Sequence, residues 1–253
     1  MLSHNGKRRL AAGAAFLMST WALAFACLAE NTAIVPIPGE GDNWTKRNDA
    51  INARVKEGHV DLLYIGDSIV QHWDAQGRAI WERYYVKRNA VNLGISGDRT
   101  EHVLWRLEHG NIDGISPKLA IVMIGQNNGP YNTGEEIGAG VTAIVQKLRE
   151  KLPATKILLL AIFPRREKPT EERATLAKAN KIASALADNR NIFYMDVNYL
   201  FLRPDCTIPS SLMPDFEHPN EEGHRIWAQA IEPKVAELMG DAPMGEMPSK
   251  TQP

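Results

Sequence analysis

The sequence predicts an α/β protein, a three-layer α/β/α sandwich built around a five-stranded, mostly parallel sheet. Five short apolar runs recur along the chain, at residues 60–65, 90–93, 119–124, 157–162 and 192–195. The segments between these runs carry apolar residues at helical spacing. Alternation of strands and helices favours parallel strands with helices packed on both faces of the sheet.

Each run has the length and composition of a buried strand, and four intervening helices are identified by their apolar stripes. The stripes consist of Val103, Leu104 and Leu107; Ile144, Val145 and Leu148; Leu176, Ala179, Ile182 and Leu186; and Ile226, Ile231, Val235 and Leu238. We interpret them as core faces. Ligands bind at the carboxyl ends of strands in such sheets, so functional residues are expected directly after each run.

The chain divides into four predicted segments: a signal peptide (1–29), an N-terminal lead-in (30–56), a catalytic domain (57–240) and a flexible C-terminal tail (241–253). Lys7, Arg8 and Arg9 precede an uncharged apolar stretch at 10–29, which is typical of a secretory signal peptide. Cleavage after Ala29 is favoured over cleavage after Ala26. An uncleaved membrane anchor remains open as an alternative, as does lipidation of residue 27. Export to the periplasm or the medium is therefore expected.

The charge balance excludes some partners. The 29 Lys and Arg residues offset 30 Asp and Glu residues, and no basic block occurs after the first ten residues. A nucleic-acid partner is therefore not expected, nor is membrane contact once the signal peptide is removed. Cys206 is the one cysteine expected in the folded part, so we predict no disulfide framework and a partly buried side chain.

Gly66, Asp67 and Ser68 follow the first run, where a strand passes into a helix. A serine at such a turn can present its hydroxyl at the edge of the sheet, with its own N–H at a helix N-terminus. The same residues also suit a helix cap with no catalytic role.

The second and third runs end in glycine- and asparagine-rich turns, at residues 92–98 and 125–128. A glycine N–H and an asparagine amide can both donate hydrogen bonds to a developing oxyanion. Ordinary turn chemistry is the alternative explanation. A phosphate-binding loop is disfavoured, since neither turn contains Gly-Lys-Ser/Thr.

Asp215 and His218 stand three residues apart, just before a helix predicted to start at residue 220 or 221. A histidine can take the proton of a serine hydroxyl, and a nearby aspartate can orient it. His224 competes for the role of base. His72, His102 and His109 lie on predicted helical segments and are interpreted as structural or solvent-exposed residues.

These four segments, in this order, resemble the characteristic blocks of the SGNH (GDSL-like) hydrolase superfamily, over about residues 61–238. Within it, residues 100–107 and 163–169 are similar to the catalytic subunits of platelet-activating-factor acetylhydrolase and their bacterial relatives. The resemblance implies a flavodoxin-like fold, ester hydrolysis without metal or cofactor, and an acyl-serine intermediate. It implies that Ser68 is the nucleophile, His218 the base and Asp215 its orienting group. The implied oxyanion hole consists of the Ser68 N–H, the Gly97 N–H and Asn127.

Three positions depart from the family pattern. Ile69 replaces a leucine, which is a small change for a residue expected to pack nearby. Asn128 replaces an aspartate, which affects support of the loop more than chemistry. Glu217 stands where the mammalian acetylhydrolases carry an apolar residue beside the acyl group, and this disfavours a lipid substrate.

The sequence therefore predicts a serine hydrolase of short-chain, acetyl-type esters, with a small acyl ester or an acetylated carbohydrate as substrate. Alternatives are a carbohydrate O-deacetylase, a lysophospholipase or thioesterase, and a non-enzymatic module that binds glycans through Trp73 or Trp81. The mammalian subunits pair, which leaves a homodimer open.

Overall fold

The computed structural model describes residues 30–245 and contains a five-stranded sheet in which every pairing is parallel. The strands are β1 (Leu62–Gly66), β2 (Ala90–Gly94), β3 (Leu119–Met123), β4 (Lys156–Leu160) and β5 (Ile192–Met195). Their spatial order is β2-β1-β3-β4-β5. This confirms the predicted α/β fold, with strand bounds that differ from the apolar runs by up to two residues.

Helices lie on both faces of the sheet and complete the three layers. They are α1 (Asp42–Lys56), α2 (Ser68–Gln71), α3 (Arg78–Tyr84), α4 (Thr100–Glu108), α5 (Gly134–Lys151), α6 (Glu171–Ser184) and α7 (Glu221–Met239). One apolar cluster joins the sheet to α1, α4 and α5. A second cluster joins the opposite face to α2, α3 and α7. The helical stripes recognised in the sequence supply buried residues on both sides.

Strand β1 shows how the sheet serves both layers. Leu63 and Ile65 point into the first cluster, whereas Leu62 and Tyr64 point into the second. All five β1 residues are buried, as expected when successive side chains alternate between two covered faces. The continuous apolar run in the sequence is the consequence of this double burial.

The segment predicted as a lead-in contains helix α1, which belongs to the core. The Pro- and Gly-rich composition of residues 30–45 predicts extended chain, but the helix starts at Asp42. Trp44, Ile51 and Val55 of this helix are buried. Their spacing fits one helical face, although polar residues fill most of the positions between them.

The start of the predicted tail is held against the domain. The Asp241 carboxylate pairs with Arg88 at 2.7 Å, and the Met244 N–H donates to Glu232 at 2.6 Å. The proposed signal peptide and its cleavage sites lie outside the described residues. Within 30–245, none of the helices is long and apolar enough to cross a bilayer.

Cys206 is exposed, so the prediction of a partly buried side chain is wrong. The residue occupies a turn, where its φ of +63° is in the left-handed region and its N–H donates to the Arg203 carbonyl at 2.8 Å. The preceding residues Arg203, Pro204 and Asp205 are exposed as well, so this turn lies on the surface. It lies away from the apolar clusters.

Candidate active site

Ser68 is the first residue of α2, immediately after β1. Asp67 caps this helix by accepting a hydrogen bond from the Ile69 N–H at 3.0 Å. The N–H groups of a first helical turn have no intrahelical acceptor, so the Ser68 N–H is available to a ligand. Gly66 is required at the end of the strand, because a Cβ there would lie 2.4 Å from the Met123 carbonyl oxygen.

Ser68, His218 and Asp215 form a continuous hydrogen-bonded chain. Ser68 Oγ lies 2.8 Å from His218 Nε2, and His218 Nδ1 lies 2.7 Å from Asp215 Oδ2. The serine and histidine are 150 residues apart in sequence, and the sheet topology brings them together. The geometry suits transfer of the serine proton to the imidazole.

A tight local turn holds Asp215 in place. Its Oδ1 accepts the backbone N–H groups of Glu217 at 3.1 Å and His218 at 2.7 Å, around Phe216 with a φ of +59°. Partial burial raises the pKa of Asp215, but the backbone and side-chain hydrogen bonds from His218 outweigh it and leave the pKa below its usual value. The carboxylate is therefore charged at neutral pH beside the imidazole.

Gly97 and Asp98 form the turn after β2. Gly97 has a φ of +83°, which a side chain would strain, and it is exposed. The fully buried Asp98 carboxylate accepts from Trp44 Nε1 at 2.7 Å and from Arg106 Nε and Nη2 at 2.8 and 2.6 Å. This buried ion pair fixes the loop that carries the Gly97 N–H.

Asn127 lies in a short 3₁₀ turn after β3 and joins that turn to the Gly97 loop. Its Nδ2 donates to the Asp98 carbonyl at 2.9 Å. Its neighbour Asn128 accepts from the Thr100 N–H at 3.0 Å and donates to Glu101 at 2.9 Å. The expectation that residue 128 supports the loop agrees with these contacts. The structure thus brings Gly97 and Asn127 to one edge of the sheet, the edge where Ser68 also lies.

Asp67 is a buried carboxyl group next to the candidate nucleophile. Burial raises its pKa to about 7, and the nearby charges of Asp98 and Glu217 act in the same direction. The Ile69 N–H and His218 act in the opposite direction without cancelling the effect. Asp67 is therefore partly protonated at neutral pH.

Glu217 is paired rather than free. It accepts from Arg165 at 2.9 Å, and Arg165 also contacts Glu172 at 3.0 Å. Arg165 follows β4, so a fourth strand contributes to this edge of the sheet. The position beside His218 is therefore polar and occupied by an ion pair.

The remaining histidines have distinct environments. His224 is buried and its Nδ1 contacts the Asn220 carbonyl at 2.8 Å, while burial lowers its pKa to about 4. It makes no hydrogen bond with Ser68, unlike His218.

The other histidines make contacts of their own. His102 accepts from the Arg99 N–H at 3.1 Å, and the exposed His109 stacks on Trp105. His72 packs against the ring of His218, with centroids 4.6 Å apart.

Three site features were not recognised in the sequence. Trp44 contributes to the Gly97 loop from the supposed lead-in, Arg165 pairs with Glu217, and His72 contacts His218. Only His72 had a detectable signal, because it lies four residues after Ser68 and such residues share one face of a helix.

Trp73 and Trp81 belong to an aromatic cluster with Tyr64 and Tyr85. Trp73 is fully buried, and the ring centroids of Tyr64 and Trp81 are 5.6 Å apart. Trp73 therefore offers no face to a glycan, whereas Trp81 is partly buried against the second apolar cluster. No group of three or more His, Cys, Asp or Glu side chains between residues 30 and 245 is arranged to hold a metal ion.

Comparison with known proteins agrees with this geometry. Residues 64–226 match the model of the GDSL-like lipase/acylhydrolase family. Platelet-activating factor acetylhydrolase IB subunit alpha2 from Homo sapiens is 34% identical over 218 residues, covering 84% of this chain and 94% of the relative. The alpha1 subunit from Bos taurus is 32% identical over 229 residues, covering 86% and 97%.

Solved structures share the fold at low identity. A GDSL-like lipase from Bacteroides thetaiotaomicron superposes with a TM-score of 0.58 at 18% identity, covering 76% of this chain and 97% of that one. Axe2, an acetylxylan esterase from Geobacillus stearothermophilus, gives a TM-score of 0.55 at 22% identity, covering 73% and 96%.

Proposed function

This chain belongs to the GDSL-like lipase/acylhydrolase family and is a carboxylic ester hydrolase, and we propose that it cleaves short-chain, acetyl-type esters with Ser68 as nucleophile. The observation that carries the assignment of the nucleophile is the hydrogen-bonded chain from Ser68 Oγ through His218 to Asp215. Such a chain activates a hydroxyl that is otherwise a weak nucleophile.

In the proposed mechanism, Ser68 Oγ attacks the ester carbonyl carbon while His218 Nε2 accepts the hydroxyl proton. The Ser68 N–H, the Gly97 N–H and the Asn127 amide donate to the tetrahedral oxyanion. His218 then protonates the departing alcohol oxygen and the carbon–oxygen bond breaks, leaving an acyl-serine. A water molecule, deprotonated by His218, then attacks the acyl carbon. The bond from that carbon to Ser68 Oγ breaks, His218 returns the proton to Oγ, and the acid is released.

A small acyl group is favoured by the charges around the site. Glu217 and Arg165 form an ion pair next to His218, and the charge of Glu217 acts on Asp67 beside the nucleophile. A long alkyl chain needs an apolar wall to lose contact with water. The ion pair cannot provide that wall, so lysophospholipase and thioesterase activities are disfavoured.

The test of this proposal is hydrolysis of p-nitrophenyl esters from acetate to decanoate by the purified chain. We expect the highest kcat/KM with acetate or butyrate and a steady decline with longer chains. Ser68→Ala should reduce kcat by about four orders of magnitude or more. Ser116→Ala, at an exposed serine before β3 and so at the opposite edge of the sheet, should have no effect. Full activity in Ser68→Ala would refute the nucleophile, and a maximum at decanoate would refute the short-acyl preference.

A second candidate function, carbohydrate O-deacetylation, is favoured by an exposed aromatic ring near the Gly97 loop. Tyr131 is 69% exposed, and its ring lies over the guanidinium of Arg99, 4.8 Å from the ring centroid. Arg99 follows Gly97 by two residues, and Tyr131 follows Asn127 by four. A rigid aromatic surface at this place suits a sugar ring on the alcohol side of the ester.

Acetate release from acetylated xylan distinguishes this candidate from a general esterase. If the alcohol is a sugar, Tyr131→Ala should raise KM for the acetylated xylan several-fold and leave hydrolysis of p-nitrophenyl acetate unchanged. Tyr199→Ala is the matched control, because Tyr199 is 68% exposed and lies in a different element, the short 3₁₀ helix Asn198–Phe201. Equal effects on both substrates would rule the candidate out.

We also propose that the enzyme acts outside the cytoplasm after removal of residues 1–29. The basic start and apolar stretch of the N-terminus support this proposal. Mass spectrometry of the chain recovered from cell fractions tests it, since the mature form should begin at Glu30. An intact N-terminus in the membrane fraction would indicate an anchor instead.

A further inference from the structure

His72 lies one helical turn after Ser68 and faces the same imidazole. The His72 N–H donates to the Ser68 carbonyl at the end of α2, which places the two side chains on one face of the helix. Ser68 contacts an edge of the His218 ring through Nε2, whereas His72 packs on the ring at a centroid distance of 4.6 Å and an interplanar angle of 37°.

The His218 imidazole turns about its Cβ–Cγ bond. Such a turn would move Nε2 away from Ser68 Oγ and Nδ1 away from Asp215 Oδ2, and so would weaken both hydrogen bonds. The contact with the His72 ring opposes that turn. We propose that His72 is a positioning residue, whose ring holds the His218 imidazole in line with Ser68 Oγ.

The groups around His72 keep it neutral while His218 takes up a proton. Burial lowers the pKa of His72, the charge of His218 lowers it further, and Asp215 partly opposes both effects. The other histidine on this side, His224 of α7, is itself buried with a lowered pKa. The Nδ1 atom of His72 is buried and has no hydrogen-bond partner among residues 30–245. An uncharged aromatic ring can lie against an imidazolium without repulsion, whereas a second cation could not.

This inference rests on the proposed function, because it assigns His72 a role through His218. The variants that test it are His72→Phe, which keeps a flat uncharged ring, and His72→Ala, which removes the ring. His72→Leu provides bulk without a planar face, and it replaces the alanine variant if that variant does not fold. The control applies the same substitutions at His109, whose ring stacks on Trp105 at 3.9 Å at the far end of α4.

With p-nitrophenyl acetate, we expect His72→Ala to lower kcat by roughly tenfold with KM changed less than about twofold, as for a misaligned catalytic group. His72→Phe should keep the wild-type kcat, because it restores a flat ring against His218. The His109 variants should change neither kcat nor KM.

Two-dimensional NMR of the His218 imidazole in full-length protein gives a readout that does not require turnover. In His72→Ala the ring cross-peaks of His218 should broaden, because the ring is no longer held in one orientation, and in His72→Phe they should stay as sharp as in the wild type. Unchanged cross-peaks and kcat in His72→Ala would overturn the inference, as would an equal loss of kcat in the phenylalanine and alanine variants. If none of the proteins hydrolyses esters, the proposed function fails, while the NMR comparison still decides whether His72 controls the ring.

Discussion

The two sides of Ser68 are held by different means. On the side of the candidate oxyanion donors, Asp98 and Arg106 form an ion pair in which the side chains are 0% and 1% exposed. On the side of the proposed base, His218 and Asp215 are 23% and 56% exposed, and a four-residue turn supplies most of the contacts. The residues on the oxyanion side are held in position by the folded core. Those on the side of His218 are held by local hydrogen bonds and by the packing of His72.

This difference has a mechanistic meaning. Donors to an oxyanion are effective when they are oriented before the reaction, and a buried network achieves this orientation. A base must gain and lose a proton in each step, and partial exposure of its charged partner limits the cost of that change. We therefore expect substitutions on the oxyanion side to reduce stability as well as activity, and those on the base side to reduce activity alone.

Among substitutions on the two sides of Ser68, Asp215→Asn should have the largest effect, and this effect should be confined to activity. An asparagine oxygen can accept the backbone N–H groups of Glu217 and His218, so the turn should persist. His218 would lose the carboxylate that selects its tautomer, and kcat should fall on the order of 10³- to 10⁴-fold. Steady-state kinetics and thermal melting measure the two quantities.

The matched control is Asp205→Asn, at an exposed carboxylate that accepts the Thr207 N–H at 3.0 Å in a similar turn. It should leave kcat and Tm unchanged. A large fall in Tm for Asp215→Asn would contradict the distinction between the two sides.

Arg106→Met should have the largest effect on stability. It leaves the buried Asp98 carboxylate without its cation, a change that costs about 3–5 kcal/mol of unfolding free energy. Urea denaturation measures this loss. Arg78→Met, which removes an exposed pair with Glu82, should change stability by less than about 0.5 kcal/mol. Similar losses of unfolding free energy in both variants would show that the buried ion pair stabilises the fold no more than the exposed pair does.

Asn127→Ala should reduce activity by about 10²- to 10³-fold, the usual effect of removing one oxyanion donor. The same change removes the bond from Asn127 Nδ2 to the Asp98 carbonyl, so a loss of about 1 kcal/mol in stability is also expected. The kinetic loss should appear in kcat rather than in KM. Unchanged kcat with reduced stability would assign Asn127 to the loop alone.

Asp67 makes the stability of the fold depend on pH in a predictable direction. Its pKa in the folded state is about 7, above the unfolded value of 3.8, so folding favours the protonated carboxyl. The stability that the protonated Asp67 carboxyl contributes to the fold is fully present below pH 3.8 and is lost as the pH rises through about 7. Asp67→Asn should therefore become more stable relative to the wild type as the pH increases. Urea midpoints at pH 4, 5.5, 7 and 8 test this, and a difference that does not vary with pH would contradict it.

The sequence predicted the fold and several contacts of the site for physical reasons. Buried strands leave continuous apolar runs, and the ends of parallel strands meet at one edge, which places Ser68, Gly97, Asn127 and His218 there. The hydrogen bonds from Ser68 to His218 and from His218 to Asp215 followed the expected pattern.

Contacts between distant elements could not be predicted in the same way. Trp44 lies 54 residues before Asp98, and Arg165 lies 52 residues before Glu217. Their partners depend on how helices and loops pack, which local spacing does not determine. The polar sequence around Trp44 also masked helix α1 within the predicted lead-in.

Covalent reaction with a fluorophosphonate, followed by intact-mass and peptide mass spectrometry, shows directly whether Ser68 is the nucleophile. We expect one adduct on Ser68, formed rapidly in the wild type, far more slowly in His218→Ala, and absent in Ser68→Ala. An adduct on another residue, or labelling of Ser68 at the wild-type rate in His218→Ala, would contradict this assignment.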